Sequence, residues 1–167
     1  MTIAFTTFDG ALGRVTLAAR DDDGAPALCG LWFDGQKYHP LPAADWHRDD
    51  DAPVLQAARE QVLAYEAGER TAFELPLAPR GTEFQRRVWR GLLGVRYGET
   101  ITYAELARRI DAPRAVRAVG AAVGRNPLSV IVPCHRIVGG DGSLTGYAGG
   151  LARKRWLLER EGSLAAA

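Results

Sequence analysis

The segment Ile131-Val132-Pro133-Cys134-His135-Arg136-Ile137-Val138 sets a thiol, an imidazole and a guanidinium side by side in an apolar, β-branched run. The thiolate is the nucleophilic form of cysteine, and a neighbouring His or Arg lowers a thiol pKa from about 8.5 towards the physiological range. The residue types therefore read as a buried reactive cysteine. Cys134 and His135 are adjacent, so their side chains point to opposite faces of a strand or sit well apart around a helix. A water between them is the simpler relay. A small hydrophobe filling the core is the alternative reading of Cys134, since free cysteines are often simply buried.

The flanking segments that must position these groups divide the chain in two. Apolar runs at 3–8 and 14–19 flank the turn Asp9-Gly10-Ala11-Leu12-Gly13, and 28–33 is a third strand candidate. The polar, proline-containing stretch 35–51 reads as a long loop. A helix starts near Pro53 and carries Leu55, Ala58, Val62 and Tyr65 on one face before Gly68 ends it. Residues 73–77 form a short strand, which Pro76 places at an edge, and residues 75–81 link this lobe to the next.

In the second half, Thr82 with Gln85 and Thr102 with Glu105 are capping boxes that open two helices. The first carries Phe84, Val88 and Leu92 on one face, and the second runs through Ile110 to the breaker Asp111-Ala112-Pro113. A further helix from about Arg114 to Val123 completes the order of a helix-turn-helix. Its Ala115, Ala118, Gly120, Ala121 and Ala122 offer almost no polar side chain to base edges. Such a helix suits close approach to a narrow minor groove with little sequence readout, or else is an Ala-rich core helix. The expected fold is α+β: a small N-terminal α/β lobe with an antiparallel sheet, residues 1–79, and a mainly helical C-terminal lobe containing the helix-turn-helix, residues 80–167.

Composition narrows the function classes. The 167 residues are 47% hydrophobic, enough for one domain or two small lobes. No apolar run approaches the roughly 20 residues that cross a bilayer, and the N-terminus lacks the pattern of a signal peptide, so a cytoplasmic protein without a membrane partner is expected. A disulfide between the two cysteines, Cys29 and Cys134, would consume the nucleophile, so both are read as free thiols. Cys29, His39 and His47 lack zinc-ligand spacing, and no metal is expected. The net charge of +1 conceals an opposition: residues 1–79 hold 6 Lys+Arg against 13 Asp+Glu, whereas residues 80–167 hold 15 against 7. The basic half is the expected partner of a polyanion.

The blocks Asn126-Pro127, Pro133-Cys134-His135-Arg136 and Thr145-Gly146-Tyr147 through Leu151, followed by Trp156-Leu157-Leu158 and Glu161, strongly resemble the O6-alkylguanine-DNA alkyltransferases. The match runs in ordered blocks from Gly81 to Gly162, and the N-terminal half is similar more loosely. The resemblance implies a DNA repair protein that flips O6-alkylguanine, and also O4-alkylthymine, out of duplex DNA and moves the alkyl group irreversibly to Cys134. His135 would deprotonate the thiol through water, Glu161 would hold the imidazole in the right tautomer, and Asn126 would brace the turn. Tyr147, Ala148, Gly149 and Ile137 would line the base pocket, with Ala148 standing where some relatives have serine. Tyr103 would push the 3′ phosphate round and hydrogen-bond the flipped purine, and Arg117 would enter the vacated stack. Arg114, Ala115, Ala118 and Arg125 would meet the minor groove. Arg136 would anchor the loop.

No metal or organic cofactor enters this chemistry, the alkylated protein is a dead end, and one monomer acts per lesion. Val123 and Arg114 depart from the family pattern, and either could alter DNA affinity. Two rivals remain: a non-catalytic alkyltransferase-like damage sensor, which Cys134 argues against, and a cysteine hydrolase using Cys–His–Glu on acyl substrates, which leaves the basic half unexplained.

Overall fold

The computed structural model describes residues 2–40 and 42–164. Two compact units divide the chain, Met1–Arg80 and Gly81–Ala167. The first is a four-stranded sheet with one helix, in the strand order β3-β2-β1-β4. β1 (Ile3–Gly10) and β2 (Gly13–Asp21) form an antiparallel hairpin closed at Gly10↔Gly13. β3 (Pro26–Phe33) adds antiparallel to β2, and β4 (Trp46–Arg48) lies parallel to β1 at the other edge.

Residues 15–19 of β2 are buried on both faces of the sheet. The helix α1 (Pro53–Glu66) packs on the sheet, burying Leu55, Ala58, Val62 and Tyr65, the face its spacing predicts. The other face carries Ile3, Ala18, Cys29 and Trp32, with Phe5 and Trp46 against them. Trp32 lies so close over Gly30 that a Cβ there would meet its ring at 1.8 Å. Cys29 is buried, and the register shift at Ala18/Ala19 makes it the extra residue of a bulge.

Two expectations change. The stretch 35–51 is not all loop, because Trp46 stacks on Trp32 at 5.9 Å and holds β4 beside β1. Residues 73–77 form no strand; only an isolated Leu28↔Leu77 bridge joins them to β3, through Leu28 N–H to Pro76 O and Ala78 N–H to Leu28 O. Pro76 has no N–H to donate, which keeps the ladder from extending.

The second unit is mainly helical: α2 (Glu83–Leu93), α3 (Tyr103–Arg109), α4 (Val116–Gly124) and α5 (Leu151–Arg160). The Thr82/Gln85 capping box of α2 is complete. At α3 only half of one forms: Thr102 accepts from the Glu105 N–H, while the Glu105 carboxylate turns to Arg108 and Arg109. Asp111 takes φ 58°, ending α3, and α4 begins at Val116, so Arg114 and Ala115 precede the helix rather than open it. β5 (Ile101–Thr102) and β6 (Ile137–Val138) pair in parallel and tie the start of α3 to the segment after Cys134.

Candidate active site

Cys134, His135 and Arg136 form a single turn of 3-10 helix. All three are buried, with His135 0% exposed. The approach to this turn is constrained. Val130 takes φ 73°, a left-handed conformation unfavourable for a β-branched residue. Asn126 holds the segment around it. Its amide Nδ2 donates to Val132 O at 2.9 Å and its Oδ1 accepts from the Leu128 N–H at 3.0 Å. The same Nδ2 lies 3.2 Å from Cys134 Sγ, so one amide both shapes the turn and solvates the sulfur.

His135 Nε2 lies 2.8 Å from Glu161 Oε2. The carboxylate also accepts from Arg136, through Nε to Oε1 at 2.8 Å and Nη2 to Oε2 at 2.9 Å. Arg136 spends its remaining terminal nitrogen on Val95 O at 2.6 Å, and its guanidinium lies 5.8 Å from the Tyr97 ring centre. Because Glu161 acts as an acceptor throughout, the imidazole hydrogen sits on Nε2 and Nδ1 carries the lone pair. His135 Nδ1 is buried, and among the described residues no protein group hydrogen-bonds it. Burial lowers the His135 pKa below 6.5, with Arg136 and Lys154 adding to the fall against the pull of Glu161. The ring is a neutral base.

The thiol itself departs from the sequence expectation. Burial pushes the Cys134 pKa up to about 11, with Asn126 and Lys154 opposing the rise. His135 and Arg136 do not lower it because both turn to Glu161. Cys134 is therefore a protonated thiol at neutral pH, and its reaction requires a base.

Lys154 escaped the sequence reading. It is 0% exposed, and its Nζ donates to Ile137 O at 2.5 Å and to Thr145 O at 2.8 Å. A signal was available: Lys154, Leu157, Leu158 and Glu161 are spaced i, i+3, i+4, i+7 and share one face of α5 and its C-cap. A basic residue on an apolar stripe that ends in a site glutamate is a buried one.

The predicted pocket residues lie on the segment that follows the turn. Ile137 follows the turn and is buried. In the loop after it, Tyr147 and Ala148 are half-buried and Gly149 is buried. Burial raises the Tyr147 pKa well above 10, with Cys134 adding to the rise, so the phenol stays neutral. The half-buried Tyr103 accepts from Thr145 Oγ1 at 3.3 Å and lies along Gly120 of α4. On α4, Arg117, Ala118 and Ala121 are exposed while Val119, Ala122 and Val123 are buried; Arg114 and Arg125 are exposed and Ala115 is half-buried. Val123 therefore packs in the core. Among the described residues no group of three or more His, Cys, Asp or Glu side chains is placed to hold a metal ion.

Models of two domains match most of the chain: the ribonuclease-like domain of 6-O-methylguanine DNA methyltransferase over residues 3–79, and its DNA binding domain over residues 83–163. A methylated-DNA–protein-cysteine methyltransferase from Mycolicibacterium paratuberculosis is 48% identical over 159 residues, spanning 95% of this chain and 92% of the relative. The chain belongs to the 6-O-methylguanine DNA methyltransferase family. A methyltransferase of the same name from Haemophilus influenzae is 45% identical over 94% of the chain and 85% of its own length. Among solved structures, Mycobacterium tuberculosis OGT in complex with DNA superposes with a TM-score of 0.85 at 46% identity, covering 96% of this chain and 93% of that one. This methyltransferase fold, an α+β arrangement with a helical second unit, is the one expected from the sequence. No helix of the described residues is long and apolar enough to cross a membrane.

Proposed function

We propose that this protein repairs DNA by transferring the alkyl group of O6-alkylguanine, and of O4-alkylthymine, to Cys134 Sγ in a single irreversible turnover. The observation that carries this is the buried chain Arg136–Glu161–His135 beside Cys134, which holds the imidazole by Nε2 and leaves Nδ1 as its acceptor nitrogen. A water bridging Nδ1 and Sγ completes a path for the thiol proton. Sγ attacks the alkyl carbon, the S–C bond forms as the C–O6 bond breaks, and the electron pair leaves on O6. Guanine then takes up one proton, balancing the one removed from the thiol. Asn126 donates to the sulfur as its negative charge develops.

The base must leave the duplex, because its O6 substituent is out of reach inside the stack and extrusion costs only a few kcal/mol. Arg117, exposed among small residues on α4, fills the vacated stack, and the small exposed face meets the minor groove. Arg114, Ala115, Ala118 and Arg125 lie along the same stretch. Tyr103 turns the phosphate and hydrogen-bonds the purine, while Tyr147, Ala148, Gly149 and Ile137 receive it. No cofactor takes part, and one monomer serves one lesion. The second unit, Gly81–Ala167, is the DNA-binding domain.

Mass spectrometry after mixing with duplex containing O6-methylguanine tests the proposal. A stable gain of one CH2, mapped to the peptide of Cys134, is expected. Unmodified protein after conversion of the lesion to guanine within the duplex would point to turnover, and a methyl group on Cys29 would end the assignment.

A further inference from the structure

We propose that Lys154 is a positioning residue for the alkyl transfer, its ammonium tying the segment that follows Cys134 to the loop that carries Tyr147 and Gly149. The idea rests on the alkyl-transfer reading and concerns the distance between nucleophile and base pocket. Lys154 stands in the first turn of α5, its backbone N–H bonded to Gly150 O at 3.1 Å, so the backbone position is fixed by the loop's end. From there Nζ reaches two carbonyls that no secondary structure joins: Ile137 O in β6 at 2.5 Å and Thr145 O at the loop's start at 2.8 Å. Ile137 comes three residues after Cys134, and Thr145 two before Tyr147. Thr145 also meets Tyr103 through its hydroxyl. One ammonium therefore sets the spacing between the thiol turn and the pocket loop.

A simple packing role does not call for this residue. Its neighbours on the buried face of α5, Leu157 and Leu158, are aliphatic, and a leucine or methionine at 154 would continue their stripe without a charge to desolvate. The loop is rich in glycine, at 139, 140, 142, 146, 149 and 150, and its own hydrogen bonds close local turns, Gly139 N–H to Ser143 O and Gly150 N–H to Tyr147 O, each at 2.9 Å. Lys154 adds a tie from Thr145 to β6. Burial lowers the Lys154 pKa to about 8, which still leaves the group a charged donor at neutral pH.

The test compares two reactions of the same sulfur in Lys154→Met. Methyl transfer from saturating O6-methylguanine duplex needs the pocket loop in register, whereas capture of Cys134 by iodoacetamide does not. Iodoacetamide capture should slow only through the lost positive charge beside the thiol. Methyl transfer should fall by a further factor of about 100, the scale of a displacement of about 1 Å between reacting groups. Duplex affinity should hold. Equal slowing of both reactions would overturn the proposal and leave Lys154 an electrostatic neighbour of the sulfur; undiminished methyl transfer would overturn it outright. Circular dichroism checks the fold, and Lys154→Gln, which keeps an N–H donor, carries the comparison if the methionine variant does not fold. Failure of both to fold would assign Lys154 to stability instead. Failure of the alkyl-transfer reading would show separately, as wild-type protein that gains no methyl group.

Discussion

At Cys134 the local chemistry runs against the usual idea of an activated cysteine. The thiol is pushed up to about 11 by burial, so reactivity depends on a base rather than on a standing thiolate. Cys134→Ser should abolish methyl transfer and leave duplex affinity intact, as checked by mass spectrometry beside a binding titration. His135 is neutral because burial holds its pKa below 6.5. The transfer rate should therefore be level near neutrality and drop once the pH falls far enough below 6.5 to protonate the ring, a pH–rate profile that His135→Ala should remove. Stability follows the same sign: the unfolded chain binds the proton first, so the folded state weakens as pH falls from 6.5 towards the lowered folded value. Glu161 answers to two partners. Its removal leaves Arg136 buried and uncompensated, at a cost of about 3–5 kcal/mol that a denaturant titration would register. In activity, losses of His135 and Glu161 should be non-additive, because each disables the same relay.

Helix α5 and the Cys134 turn act together as elements. α5 presents Lys154, Leu157, Leu158 and, at its C-cap, Glu161 to one side, so a single rigid helix holds the pocket loop at one end and the imidazole at the other. Helix α4 divides its faces more simply, with Val119, Ala122 and Val123 in the core and Arg117, Ala118 and Ala121 outside. Among the described residues no ion pair engages Arg117. Its loss should destabilise the extruded nucleotide by about 1–3 kcal/mol, slowing duplex repair about 5- to 150-fold. Reaction with free O6-benzylguanine, which requires no extrusion, should be nearly unchanged. Equal slowing of the two would place Arg117 in the base pocket or the fold.

For the whole molecule, charge separates the two halves: 13 Asp+Glu against 6 Lys+Arg in residues 1–79, and 15 Lys+Arg against 7 Asp+Glu beyond. Affinity for undamaged duplex should reside in residues 80–167, vary little with sequence and weaken steeply between about 50 and about 200 mM salt through counterion release. Equal binding at both ends of that range would contradict the charge argument. Much of this was already legible in one dimension. Strands β1 to β3, the buried face of α1 and the Thr82 cap depend on local patterning, and Cys134, His135, Asn126 and Glu161 stand in recognisable blocks. The tertiary structure decided what depends on contacts distant in sequence. Trp46 makes an edge strand of apparent loop because Trp32 waits across the sheet. Glu105 leaves its cap because Arg108 and Arg109 compete for it. Lys154 becomes a buried tie because two carbonyls, 17 and 9 residues away, converge on its ammonium. The Cys134 pKa moves up rather than down for the same reason: adjacency in the chain placed His135 and Arg136 beside it, but the folded backbone turned both towards a glutamate 25 or more residues away.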